Sequence, residues 1–123
     1  MTGEITPFGV TTQWVGRSTV VVEVTGDVDV GTAPAFEDEL GRAVEDGLST
    51  ALVVDLSRVT FIDSMGLNAL VRAFERQRLA GSELALVSDD SRVATILEVA
   101  RLDRVLKRYP TLPEAVEAVE SSV

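Results

Sequence analysis

The sequence predicts an α/β fold, a single domain over residues 1–123 in which a mixed sheet of about four to five strands is flanked by about four helices. Three observations carry this. Two Val- and Thr-rich stretches open the chain as a hairpin, a nearly all-apolar run follows at 51–56, and short apolar runs then alternate with stretches of helical period. That alternation implies parallel strands with helices packed on them. A length of 123 residues suits one core and is short for two.

Residues 8–15 and 18–26 are the paired strands, with Gly16-Arg17 between them and Gly26 ending the second. After the loop Asp27-Val28-Asp29-Val30-Gly31, Thr32 is placed to cap a helix carrying Pro34 in its first turn. Phe36, Leu40, Ala43 and Val44 share its inner face, and Gly47 suits its end. Ala51 to Leu56 is short and apolar, as in a central strand covered on both sides. A second helix starts near Asp63-Ser64 and runs toward Ala80-Gly81, with Leu67, Leu70, Val71 and Phe74 inward and Asn68, Arg72, Glu75 and Arg76 outward. Glu83 to Val87 is a further strand. Asp89, Asp90 and Ser91 are candidate caps for a third helix carrying Val93, Ile96 and Leu97, and residues 104–108 add a short strand. Thr111-Leu112-Pro113-Glu114 has the form of a capping box with proline in the first turn, opening a last helix whose Ala115, Val116 and Val119 face inward.

Composition narrows the function classes. With 46% hydrophobic and 25% charged residues the chain has the make-up of a globular protein with an aliphatic core. Twenty acids against eleven bases give a formal charge of -9, which opposes binding to nucleic acid or to anionic membranes. The absence of cysteine removes thiolate metal sites and thiol nucleophiles, and the absence of histidine removes the commonest general base and metal ligand. Neither a secretory leader nor an apolar run of membrane-spanning length is evident, so a cytoplasmic location is expected. A non-catalytic module without cofactor or metal is the reading these facts favour.

The one chemically suggestive segment is Val59-Thr60-Phe61-Ile62-Asp63-Ser64-Met65-Gly66-Leu67, which passes from an apolar stretch directly into a helix. Ser64 falls in the first turn, where unpaired N–H groups and the helix dipole favour negative charge, so a phosphate there is expected to be held without damage to the fold. The plainer reading is that Asp63 and Ser64 only cap the helix and that Gly66 allows close packing.

These residues resemble the STAS family, in particular the stand-alone bacterial anti-sigma-factor antagonists, whose mark is a strand followed by Asp-Ser-x-Gly-Leu at a helix start. The motif here is Asp63-Ser64-Met65-Gly66-Leu67, and a second family feature, a Gly-x-x-Asp turn with Thr-Ala shortly after it, matches Gly26-Asp27-Val28-Asp29 and Thr32-Ala33. The similarity runs from about residue 8 to 120. It implies a STAS-like domain that binds, when unphosphorylated, an anti-sigma factor that is itself a serine kinase, so freeing a sigma factor. Phosphorylation of Ser64 would release the complex, and a phosphatase would reverse it. By position, Asp63, Ser64, Met65, Gly66, Leu67 and Asn68, with Asp29 and Thr32 of the neighbouring loop, form the partner-facing surface. Met65 departs from the family, where Ser or Thr is frequent; it is open to two readings, a partner contact or a cover for the core. An alternative function is a STAS scaffold within a larger signalling or transporter-associated assembly.

Other constellations are weaker. Asp27, Asp29 and Asp63 have turn and cap roles that compete with cation binding. Asp55, inside an apolar strand, needs hydrogen bonds, most simply from loop amides. Arg101, Arg104, Lys107 and Arg108 form a basic cluster that is either a solvated face or a contact for acidic surface or nucleotide phosphate. A hydrolase would need a base for Ser64, and no Gly-x-Ser-x-Gly elbow is present. A receiver domain would centre on a phosphorylated Asp instead. The oligomeric state is not encoded in any feature of the sequence.

Overall fold

The Val-rich segments form strands because branched side chains suit a pleated surface covered on both sides, and the periodic segments form helices over them. The computed structural model describes residues 6–16, 18–45, 51–89 and 91–121. Its elements are β1 (Gly9–Val15), β2 (Thr19–Val28), α1 (Ala33–Glu45), β3 (Ala51–Ile62), α2 (Ser64–Leu79), β4 (Glu83–Val87), α3 (Ser91–Val99), a 3-10 turn (Leu102–Arg104), β5 (Lys107–Tyr109) and α4 (Leu112–Ser121). The five strands lie in chain order, β1 antiparallel to β2 and the others parallel, so β3 is the central strand as expected.

Strand alternation divides the core. Val20, Val22, Val24, Leu52, Val54, Leu84 and Leu86 face one layer, built with Phe36 and Leu40 of α1, Leu70 and Ala73 of α2, and Val93 and Leu97 of α3. Val21, Val53, Ala85 and Val87 face the other, which α4 closes with Ala115 and Val119. The mixed sheet with four helices is therefore present, three helices on one side and one on the other. Thr111 caps α4: the Glu114 N–H donates to Thr111 Oγ1 at 3.3 Å, and the Glu114 carboxylate accepts from that hydroxyl at 3.0 Å, where the expected capping box has it accept from the Thr111 backbone N–H.

Several boundaries differ from expectation. Gly26 does not end β2; it takes φ +83° at a break in the register, and pairing continues to Val28 against Ile62. A Cβ at Gly26 would lie 2.8 Å from the Thr6 carbonyl oxygen and 2.9 Å from the Phe8 backbone, which is why the bulge takes glycine. β3 runs on past Leu56 to Ile62, because β2 pairs with it there although β4 has ended at Val87. The short strand expected at 104–108 lies at Lys107–Tyr109, the 3-10 turn taking the residues before it. On α2 the buried face is Gly66, Ala69, Leu70, Ala73 and Gln77, with Leu67, Val71 and Phe74 only partly covered. Small residues let the helix approach the sheet closely, so the larger ones flank the contact. Gln77 is buried by donating to the Glu83 carbonyl at 2.8 Å. Gly47, Arg17 and Asp90 fall outside the described residues.

Asp55 is 5% exposed and is satisfied locally: its Oδ1 accepts from the Ser57 N–H at 3.0 Å and from the Ser57 hydroxyl at 2.7 Å. Asp55→Asn is tolerated better than Asp55→Ala, which strands the Ser57 groups and costs about 1–3 kcal/mol in urea unfolding.

On the outer surface Glu37 pairs with Arg72 across α1 and α2, Glu39 with Thr12 and Arg42, and Glu75 with Arg78. Hydrogen bonds from these partners hold all three carboxyls below their ordinary range. The stabilisation is thus present above the ordinary carboxylate range and is lost as pH falls through and below it. Because the pairs are exposed, the acid-side fall in melting temperature is small and is largely removed at about 1 M salt.

Candidate functional site

The C-terminal ends of β2 and β3 finish together, Val28 opposite Ile62, and each leads within a few residues into a helix. The Asp63 N–H donates to the Val28 carbonyl at 3.0 Å, extending the strand pairing by one bond. The β2–α1 loop and the start of α2 therefore sit side by side at one edge of the sheet. The Thr60 hydroxyl donates to Asp27 Oδ1 across the same two strands.

The loop is held by Asp29 and Thr32. Asp29 Oδ1 accepts from the N–H groups of Gly31 at 3.0 Å and Thr32 at 3.2 Å. Thr32 Oγ1 accepts from the Asp29 N–H at 2.9 Å and donates to the Asp27 carbonyl at 2.8 Å. Its hydroxyl therefore turns back into the loop, not forward as the helix cap expected from sequence; the helix start is tied instead by the Ala33 N–H to the Asp29 carbonyl at 2.7 Å.

Asp63 caps α2, its Oδ1 accepting from the Met65 N–H at 3.0 Å and the Gly66 N–H at 3.2 Å. The expectation that open N–H groups would cradle a phosphate on Ser64 is corrected here, since the capping carboxylate already occupies those two donors. A phosphate on Ser64 would instead share this edge with Asp27, Asp29 and Asp63. These three carboxylates each serve a separate strand, loop or helix cap, and among the described residues no cluster of acids able to hold a metal ion forms. Replacing Asp63 by Ala removes the cap and is expected to lower stability by about 1 kcal/mol in denaturant titration, whereas Asp63→Ser keeps most of it.

Of the residues singled out by sequence, Ser64, Met65 and Asn68 are exposed and Asp63, Asp29 and Thr32 are half-buried. Gly66 is buried and Leu67 packs against the core, so these two seat the helix and offer little surface. A Cβ on Gly66 would lie 2.7 Å from both Ile62 Cγ1 and Val28 Cγ1, which fixes the height of the helix over the strand ends. Met65 is 44% exposed, so a large part of its side chain is open to a partner.

Two apolar residues at this edge were not singled out from sequence: Val30, 69% exposed, and Phe61, 41% exposed. The signal for Val30 was an aliphatic residue inside a turn-forming loop; that for Phe61 was hidden by the register breaks in β2–β3, which shift strand parity. Met65 and Asn68 also line a cleft of about 310 Å³ with Ala33, Pro34, Glu37, Asp38 and Arg72, between the starts of α1 and α2. The edge thus combines exposed apolar side chains, carboxylates and the exposed Ser64 hydroxyl, an arrangement suited to a protein partner and to modification.

The chain belongs to the STAS domain family, whose model matches residues 13–115. It is 32% identical over 99 residues to the anti-sigma-F factor antagonist RsfB of Mycobacterium tuberculosis, spanning 80% of each chain. Its fold superimposes on the crystal structure of an anti-sigma factor antagonist from Mycobacterium paratuberculosis with a TM-score of 0.85 at 32% identity, covering 93% of this chain and 95% of that one. The anti-sigma factor antagonist SpoIIAA in its unphosphorylated form has the same fold, with a TM-score of 0.79 at 20% identity over 94% of this chain and 99% of its own.

Proposed function

We propose that this protein is an anti-sigma-factor antagonist: unphosphorylated, it binds an anti-sigma factor with serine kinase activity through the edge around Ser64 and so releases a sigma factor to direct transcription. The observation that carries this is the exposed Ser64 at the first position of α2, set among the loop acid Asp29, the capping acid Asp63 and the exposed Val30, Phe61 and Met65. The names of its relatives supply the class of partner. The partner transfers the γ-phosphoryl group of ATP to Ser64 Oγ, the hydroxyl proton is lost and ADP leaves; a phosphatase hydrolyses the ester back to serine and inorganic phosphate.

The chain itself holds no nucleotide and performs no catalysis in this scheme, and it acts in the cytoplasm where sigma factors work. Among the described residues no helix is long and apolar enough to cross a membrane. Phosphorylation acts through charge and bulk at the docking edge, because the α2 donors that might have absorbed the phosphate are taken by Asp63.

The proposal is tested by gel filtration and native mass spectrometry of the unmodified chain with an anti-sigma kinase. A stable complex with the unmodified chain and none with the chain phosphorylated at Ser64 is the expected result; equal complex formation by both forms overturns the switch. Met65→Lys is expected to weaken the complex at least about tenfold while leaving the melting temperature within about 2 °C, since the side chain lies on the surface.

A further inference from the structure

We propose a second docking surface, formed by the end of α3, the 3-10 turn and β5, that takes an acidic, aliphatic segment of a partner protein. α3 links parallel strands β4 and β5, so it runs back along the sheet and ends at the edge opposite Ser64; β5 is the outermost strand. The two surfaces can therefore be occupied together, and this one is independent of the phosphorylation state.

The first support is charge. In a chain with a formal charge of -9, residues 98–108 carry four bases against two acids, Glu98 and Asp103. Arg101, Arg104 and Lys107 are exposed, and none of them pairs with a carboxylate among the described residues. Arg108 is partly engaged, donating to the Ser88 carbonyl at 2.8 Å. In the same stretch of chain Val99 is 79% and Val105 49% exposed, which gives an aliphatic segment something to cover. The patch is short and the rest of the molecule is acidic, so it complements a local acidic stretch and repels an extended polyanion such as RNA.

The second support is backbone strain. After α2 the chain leaves the helix through Gly81 at φ +73°, whose N–H donates to the Arg78 carbonyl at 3.1 Å. After α3 it leaves in the same way through Arg101 at φ +62°, whose N–H donates to the Glu98 carbonyl at 3.0 Å. Glycine is the unstrained residue for this left-handed position, and Arg101 is the one described non-glycine residue of the chain that adopts it. Arg101 thus holds an exposed guanidinium at a backbone position where glycine would be more stable, inside the proposed surface.

The test uses the full chain, labelled with nitrogen-15, titrated with a soluble peptide carrying glutamates and leucines at helical spacing, its glutamine counterpart, an RNA oligonucleotide and vesicles containing anionic lipid. Saturable shifts confined to residues 98–108, given by the glutamate peptide alone, are expected. Arg101→Gly should raise the melting temperature by about 2–4 °C yet weaken peptide binding at least about threefold. Arg104→Glu with Lys107→Glu should abolish binding in a folded chain. Shifts spread over all arginines, equal shifts with RNA or vesicles, no saturable binding, or an Arg101→Gly variant that binds as well as wild type would each overturn the proposal.

Discussion

Ser64→Asp is expected to lower the affinity for the proposed anti-sigma kinase by at least about thirtyfold, about 2 kcal/mol, while the protein stays as stable as wild type. On the proposed function the loss arises at the interface, where a new charge joins Asp27, Asp29 and Asp63 at the proposed docking edge. Like charges brought together in a desolvating contact cost several kcal/mol, more than the exposed hydroxyl could have contributed. Stability is spared because Ser64 is exposed and the dipole of α2 favours an anion in its first turn by about 0.3–1 kcal/mol, which offsets repulsion from Asp63. Ser64→Ala is expected to keep binding and to lose the proposed phosphorylation. Calorimetric titration against the kinase, with thermal melts of each variant, checks the set; equal affinity of Ser64→Asp and wild type would place the partner elsewhere.

Gly66→Ala is expected to destabilise the fold, by up to about 2 kcal/mol, and to weaken binding of the proposed partner as well. Alanine is the better helix former by about 1 kcal/mol, so on an open helix the substitution would stabilise. Here the new methyl would sit 2.7 Å from Ile62 Cγ1 and from the Cγ1 of Val28, whose branched side chain has little freedom to move aside. Overpacking of this kind costs about 1–3 kcal/mol and outweighs the propensity gain. The helix start must lift off the strand ends, which moves Ser64, Met65 and Asn68 together relative to Asp29 and Thr32. Urea unfolding reads the first effect and calorimetry the second; a Gly66→Ala variant more stable than wild type would show that the close approach is not a constraint.

Much of this is legible in the sequence. The central strand, the α2 start at Asp63-Ser64 and the Thr111 cap follow from local rules that tertiary context left intact: apolar runs, caps and proline in the first turn. What escaped depends on pairing between distant segments. Gly26 reads as a strand end because glycine weakens strands, yet it serves a bulge that lets β2 and β3 run on beyond β4. That extension puts Phe61 on the surface and brings Val30 to the same edge, and neither is visible from periodicity alone. The inner face of α2 was placed on its largest side chains, whereas close contact is made by Gly66, Ala69 and Ala73. At the site, residue identity was legible and the bonding was not: Thr32 suggests a cap, but its hydroxyl closes the loop, and the α2 donors belong to Asp63.

The most direct test of the central claim is intact mass and peptide mapping of the chain after incubation with an anti-sigma kinase and ATP. The account predicts a single phosphate, mapped to Ser64, absent from Ser64→Ala, and accompanied by loss of the complex. No phosphate with a kinase that binds the chain, or a phosphate mapped to another residue with Ser64 unmodified, would contradict it.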